Sequence, residues 1–368
     1  MRAIAYYLPQ YHPIPENDKW WGKGFTEWTN VTKAKPLFKG HYQPRLPADL
    51  GFYDLRLAEV RTRQAEMARE YGVYGFCYYH YWFGNGKKLL ERPFNEVLSS
   101  GKPEFPFMLC WANQTWAGVW FGNDKPDILI EQSYPGKEDY VSHFNYLSKA
   151  FADPRYITID DKPVFHVYMP RSIPDLNLFV DTFRECAHSH GFKGLYLLAT
   201  HCPPKWDPRL YGFDGVVSNN FHRVRKDANK LKRVIEDKNS FLGKVEGKIR
   251  LLVKEKDMAQ RTKPYIMEYT DFIKIISNWQ SVEFDYFPQV IPDWDNSARS
   301  GKKSFIIKGS TPSLWQSHVQ AARDYVKKYD AEKQLVFIKS WNEWAEGNYL
   351  EPDQKWGLQY LEALRSLR

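Results

Sequence analysis

The 368-residue chain is predicted to be an α/β protein, a (β/α)8 TIM barrel with a basic helical insertion after strand 6. Three observations carry that expectation. Short apolar runs rich in β-branched and aromatic residues recur eight times, and amphipathic helical stretches lie between most of them. The glycine-rich turns that cradle phosphates in open nucleotide-binding sheets are missing: no GxGxxG follows the first run, and no GxxxxGK followed by Ser or Thr occurs. The doubly wound open sheet is therefore the less favoured alternative.

The predicted strands, in order, are Ala3–Leu8, Val73–Tyr81, Phe107–Trp111, Val164–Tyr168, Leu195–Thr200, Gly215–Asn219, Gln289–Pro292 and Leu335–Ser340. Helices are expected at Leu55–Tyr71, where Leu55, Leu57, Val60, Ala65 and Met67 are the apolar positions, and at Glu138–Ala152, Leu176–His190 and Pro312–Tyr329. Lys327 and Lys328 near the end of the last suit a helix C-terminus. There is no repeat of fixed period and no low-complexity linker, so residues 1–368 are expected to form one domain, with 222–263 inserted in it.

A chain that is 43% hydrophobic and 26% charged can bury a large core, which excludes a disordered tail or a small disulfide scaffold. Aromatic residues make up 17%, much of it Trp and Tyr, whose rings combine an apolar face with a polar tip and suit sugars. The net charge of +8 is local: His222 to Lys263 carries fourteen Lys and Arg against six Asp and Glu. No nucleic-acid partner is therefore expected. The insertion reads either as a solvated arm or as an amphipathic basic surface for an anionic glycan or a membrane leaflet. Cys77, Cys110, Cys186 and Cys202 have no CxxC spacing and read as reduced core residues. The N-terminal run is short and interrupted by Pro9, and no stretch is long enough to span a bilayer, so a cytoplasmic, at most membrane-peripheral, protein is expected.

Barrel enzymes place their chemistry just after the strands. Strand one leads into Tyr7, Tyr11 and His12, strand two carries His80, Tyr81 and Trp82, and strand three leads into Trp111, Asn113 and Trp116. An early loop offers Glu27 and Trp28, strand seven is followed by Asp295 and Arg299, and strand eight by Trp341, Asn342 and Trp344. These are the candidate substrate-binding residues; His166, inside a strand, reads as structural. The sharpest signal is Glu343 with Glu346, two carboxylates on one side of a turn if Gly347 bends the chain. A carboxylate pair is the minimum apparatus of glycoside hydrolysis, and flanking Trp rings can desolvate a carboxyl; helix capping is the alternative use of such residues. Asp293-Trp294-Asp295 has the DxD spacing with which some nucleotide-sugar transferases hold a metal.

The run Phe337–Gly347, FIKSWNEWAEG, followed by Leu350-Glu351-Pro352, resembles the strand-eight signature of glycoside hydrolase family 99, the endo-α-mannosidases and mannanases. The segments YYLPQYH from Tyr6, GFTEWTNV from Gly24 and YGFCYYHYWF from Tyr74 resemble the WbsX-like proteins, relatives of that family associated with bacterial surface-polysaccharide clusters and commonly labelled glycosyltransferases. The resemblance covers residue 2 to about 360. It implies a retaining mechanism with no cofactor and no metal. Glu343 would take the proton of the sugar 2-hydroxyl, which attacks its own anomeric carbon, and Glu346 would protonate the departing oxygen. The hydrolases generally have His where this chain has Ala345, so mannose specificity is not carried over. The expected function is cleavage or transfer of a glycosidic bond in a bacterial surface polysaccharide of O-antigen or capsule type, by a retaining endo-acting glycoside hydrolase with a polysaccharide or oligosaccharide substrate. A nucleotide-sugar transferase centred on Asp293 and Asp295 and a non-catalytic glycan-binding barrel are the alternatives.

Overall fold

The computed structural model describes residues 1–118, 127–203, 206–221, 224 and 263–367. The predicted insertion, 222–263, lies outside the described residues except for Val224 and Lys263.

The barrel strands are β1 (Arg2–Tyr7), β2 (Val73–Trp82), β3 (Phe107–Trp111), β4 (Lys162–Val167), β5 (Tyr196–Ala199), β6 (Gly215–Val217), β7 in two pieces (Asp285–Phe287 and Gln289–Val290) and β8 (Leu335–Ile338). All pair in parallel, with Ile4 opposite Phe337, Tyr79 opposite Cys110 and Phe165 opposite Leu197. The first piece of β7 pairs with β6 and the second with β8, which closes the cylinder. Between the pieces Pro288 has no N–H to give, but its carbonyl accepts from Phe337 N at 2.9 Å. Helices cover the outer face, so most strand residues are buried on both sides and read as unbroken apolar runs.

The four predicted helices are present at Ala58–Glu70, Lys137–Phe151, Leu176–Ser189 and Pro312–Val326. The sequence reading places strand seven at Gln289–Pro292 and passes over its first piece, because Asp285 and Pro288 are poor strand formers. It also passes over a parallel pair, Tyr265–Glu268 with Phe305–Lys308, which lies outside the barrel sheet. With the helix Tyr269–Ile276 this pair forms a satellite core around Tyr269, Phe272, Ile291 and Ile307. Among the described residues no helix is long and apolar enough to cross a membrane.

Candidate active site

A cleft of about 200 Å³ is lined by residues that follow β1, β3, β4, β7 and β8 or end β2. This is the C-terminal mouth of the barrel.

The turn after β8 is built by its own polar side chains. Asn342 clamps β1, accepting from Leu8 N at 2.7 Å and donating to the Leu8 carbonyl at 3.0 Å. Ser340 Oγ accepts from Glu343 N at 3.0 Å and donates to the Asn348 carbonyl at 2.9 Å. A 3-10 turn, Trp344–Glu346, then ends on Gly347 at φ 58°. Glu343 and Glu346 thus border one tight turn, and both line the cleft. Trp344 supports the turn from its buried side: its indole donates to Glu351 at 2.6 Å and its ring stacks on Tyr349 at 3.8 Å.

One guanidinium joins three carboxylates. Arg299, on the short helix Ser297–Ser300 after β7, places Nη1 2.8 Å from Glu346 Oε1 and Nη2 3.5 Å from Glu343 Oε2. Its Nε and Nη2 lie 3.2 and 3.0 Å from Glu27 Oε2. Burial and the charge of Glu346 push the Glu343 carboxyl up to about 7, against the pull of Arg299 and Lys339. Burial also raises Glu27, which Arg299 opposes. Burial alone would lower Lys339, but Tyr168, Glu346 and Glu343 together hold its ammonium above the usual lysine range. The pocket therefore contains one carboxyl raised toward neutrality, Glu343, beside a second, Glu346, that pairs with a cation.

Of the predicted site residues, Glu343, Glu346, Glu27, Arg299, Tyr81 and Trp116 come together on the cleft. The others are directed elsewhere. On β2, Tyr81 faces in while His80 and Trp82 face the helix Lys137–Phe151: His80 Nε2 lies 2.8 Å from His143 Nε2, and the Trp82 indole donates to Asp139 at 3.0 Å. Burial pushes His80 down to about 3, so it is neutral at physiological pH. Tyr7 points to Gln64 at 2.6 Å, and the Trp111 ring packs on His143 and Phe179. Strand alternation accounts for these placements. Trp28 donates to the Tyr53 carbonyl at 2.8 Å, Tyr11 donates to the Asn342 carbonyl, His12 is buried, and Trp341 packs on Phe76. Asn113 ties the β3 loop to Met169, accepting from its N–H at 2.7 Å.

Asp293 and Asp295 do not line the cleft. Asp293 takes Arg45 at 2.7 Å, and Asp295 takes His41 at 2.7 Å and Gln43 at 2.9 Å. Although burial opposes it, His41, Arg45 and Ser297 hold the Asp295 carboxyl down at about 2. Among the described residues one other group has metal-ligating character: Cys77, Cys110 and His166, whose ligand atoms lie within 4.8 Å of one another. All three are buried on the barrel strands and none lines the cleft, and the Tyr6 hydroxyl lies 3.2 Å from His166 Nδ1.

The family model described as "Glycosyltransferase WbsX" matches residues 3–364. The chain belongs to the WbsX family. It is 37% identical over 365 residues to the "Uncharacterized protein WxcX" of Xanthomonas campestris pv. campestris, covering 98% of this chain and 49% of that protein. The chain thus spans about half the length of the curated relatives it matches. Among solved structures it is similar to the GH99 endo-alpha-mannosidase from Bacteroides thetaiotaomicron, at 13% identity and a TM-score of 0.56 over 99% of this chain and 96% of that one. It is equally similar to a "Glycoside hydrolase-like protein", at 14% identity and a TM-score of 0.56 over 99% of this chain and 93% of that one. At these identities the two structures establish the barrel fold.

In this WbsX-family chain several cleft residues stand outside the candidate substrate-binding set: Tyr79, Tyr168, Lys339, Trp294, Gln10, Gln114, Asn17 and Trp21. A signal existed for two of them. Tyr79 is two positions before Tyr81 and shares its face, and Lys339 directly follows the last residue of β8. Asn17 and Trp21 sit on the helix Pro15–Trp21, an excursion between β1 and β2 that strand positions do not foretell.

Proposed function

We propose that this chain is a carbohydrate-active enzyme that breaks or transfers a glycosidic bond in a bacterial surface polysaccharide, retaining configuration, with Glu343 and Glu346 as its carboxylate pair. One observation carries the reading: both carboxylates meet on the buried Arg299 guanidinium in a cleft that Tyr79, Tyr81, Tyr168, Trp21 and Trp116 also line. Aromatic faces suit sugar rings, and the cleft holds the two proton-handling groups the reaction needs.

In the first step Glu343 takes the proton of the 2-hydroxyl. O2 bonds to the anomeric carbon as the bond to the leaving oxygen breaks, and Glu346 gives that oxygen its proton. In the second step water, or an acceptor sugar hydroxyl, bonds to the anomeric carbon as the bond from that carbon to O2 breaks; the incoming oxygen loses a proton to Glu346, and O2 recovers its proton from Glu343. Hydrolysis and transfer differ only in the acceptor, so a transferase label and a glycosidase fold are compatible with one site.

For Asp293 and Asp295 to hold a metal-bound diphosphate, Arg45 and His41 would first have to leave them. The nucleotide-sugar reading is therefore the weaker one. Incubation with a panel of O-antigen and capsular polysaccharides, with products read by mass spectrometry, tests the proposal. A glycan-binding barrel would bind without changing product masses.

A further inference from the structure

We propose that Glu27 is a positioning residue: its carboxylate anchors the Nε–Nη2 edge of Arg299 and thereby keeps that guanidinium from pairing closely with Glu343. The inference rests on the carboxylate-pair reading, because it concerns how that pair shares charge.

The guanidinium is divided unequally. Glu27 Oε2 occupies Nε and Nη2 at 3.2 and 3.0 Å, Glu346 occupies Nη1 at 2.8 Å, and Glu343 stands 3.5 Å from the nitrogen Glu27 already uses. Charge-assisted hydrogen bonds weaken steeply with length, so Glu343 receives the least from this cation. Glu27 is 1% exposed, and its carboxylate is held by Arg299 with the Asn30 side chain beside it.

Its own position is fixed from two directions. Glu27 N donates to the Gln10 carbonyl at 3.1 Å, and the neighbouring Trp28 ring lies 5.5 Å from that of Trp344 in the β8 turn. The remaining titratable groups that face Glu343 are Glu346 on its own turn, Lys339 at the end of β8, Tyr79 and Tyr81 on β2, Tyr168 after β4 and Tyr11 after β1. All the tyrosine hydroxyls are held above their usual range by burial and are neutral, so the charge on Glu343 is decided by Glu346, Lys339, Arg299 and Glu27. Removing the Glu27 charge takes away a like charge and frees Nη2 to turn to Glu343. Both changes favour the carboxylate of Glu343 and make it a weaker base.

A carbon-13 NMR titration of glutamate-labelled protein tests this on the chain itself, with Glu343→Gln assigning the Glu343 carboxyl signal. Glu27→Gln is expected to move the Glu343 midpoint down by about one pH unit. Glu27→Asp keeps the charge but shortens the reach to Arg299, and its midpoint is expected to fall part of the way; it carries the test if Glu27→Gln does not fold. A Glu343 midpoint unchanged from wild type in the folded variants overturns the proposal, since a merely structural Glu27 would not move it. The titration reads no turnover, so its failure is distinguishable from failure of the proposed reaction.

Discussion

The backbone N–H of Asp295 donates to the carbonyl of Glu346 across 2.7 Å, joining the loop after β7 to the turn after β8. That bond holds the segment carrying Arg299 beside the carboxylates it serves. Gly347 makes the approach feasible: its φ is 58°, and a Cβ added there would stand 2.8 Å from Asp295 Cβ and 2.9 Å from Asp295 N. A left-handed conformation and a backbone contact coincide at one residue.

Gly347→Ala is accordingly expected to destabilise the fold by about 1–3 kcal/mol, the cost of a strained backbone conformation, with the steric contact adding to it. Urea unfolding monitored by tryptophan fluorescence checks this. An unchanged midpoint would show that the two loops separate freely.

Arg299→Met strands the buried carboxylates of Glu27 and Glu343 and the partly buried one of Glu346 around an apolar side chain and is expected to cost about 3–5 kcal/mol. Arg299→Lys should recover only part of the loss, because a single ammonium cannot present the fork that reaches Glu27, Glu343 and Glu346 together. Equal stability of the lysine variant and wild type in denaturant titrations would contradict the three-way geometry.

The barrel was legible because its strands are covered on both faces and stand out as apolar runs, and the carboxylate pair was legible because Gly347 closes a turn after Glu346. The side on which each aromatic residue lies was not. Tyr81 and Trp82 are adjacent and chemically alike, but alternation sends one to the cleft and the other to Asp139. Arg299 reads as one cation after strand seven; that it gathers Glu27, 272 residues away in sequence, depends on tertiary closure. The pairing of Asp293 with Arg45 and of Asp295 with His41 likewise has no local pattern.

That same alternation separates two tryptophan variants. Trp116→Ala, at the cleft, is expected to weaken oligosaccharide binding about tenfold, the worth of one ring stack. Trp82→Ala should leave binding unchanged in the folded protein and lower stability by about 3–5 kcal/mol. Calorimetric titration with any oligosaccharide substrate, together with thermal melting, distinguishes them; the reverse pattern would place the sugar elsewhere.

Glu351 gives a stability signature in pH. Burial pushes its carboxyl up to about 7 although Trp344, Gln64 and Tyr53 all donate to it, so the folded state holds its proton more tightly than the unfolded state does. The sign follows: its contribution favours folding fully below the ordinary carboxyl range and is lost as pH rises through about 7. Relative to Glu351→Gln, wild type should lose on the order of 3 kcal/mol of unfolding free energy between pH about 4 and about 8. Parallel stability curves for the two proteins would show that Glu351 titrates normally.

Turnover of a cleaved or extended polysaccharide by wild type, Glu343→Gln and Glu346→Gln, followed by mass spectrometry with the anomeric configuration read by NMR, tests the central claim most directly. The account predicts a retained product from wild type and a fall of about 100-fold or more in each variant, with both variants still folded. Wild-type turnover by either folded variant, or an inverted product, would contradict it.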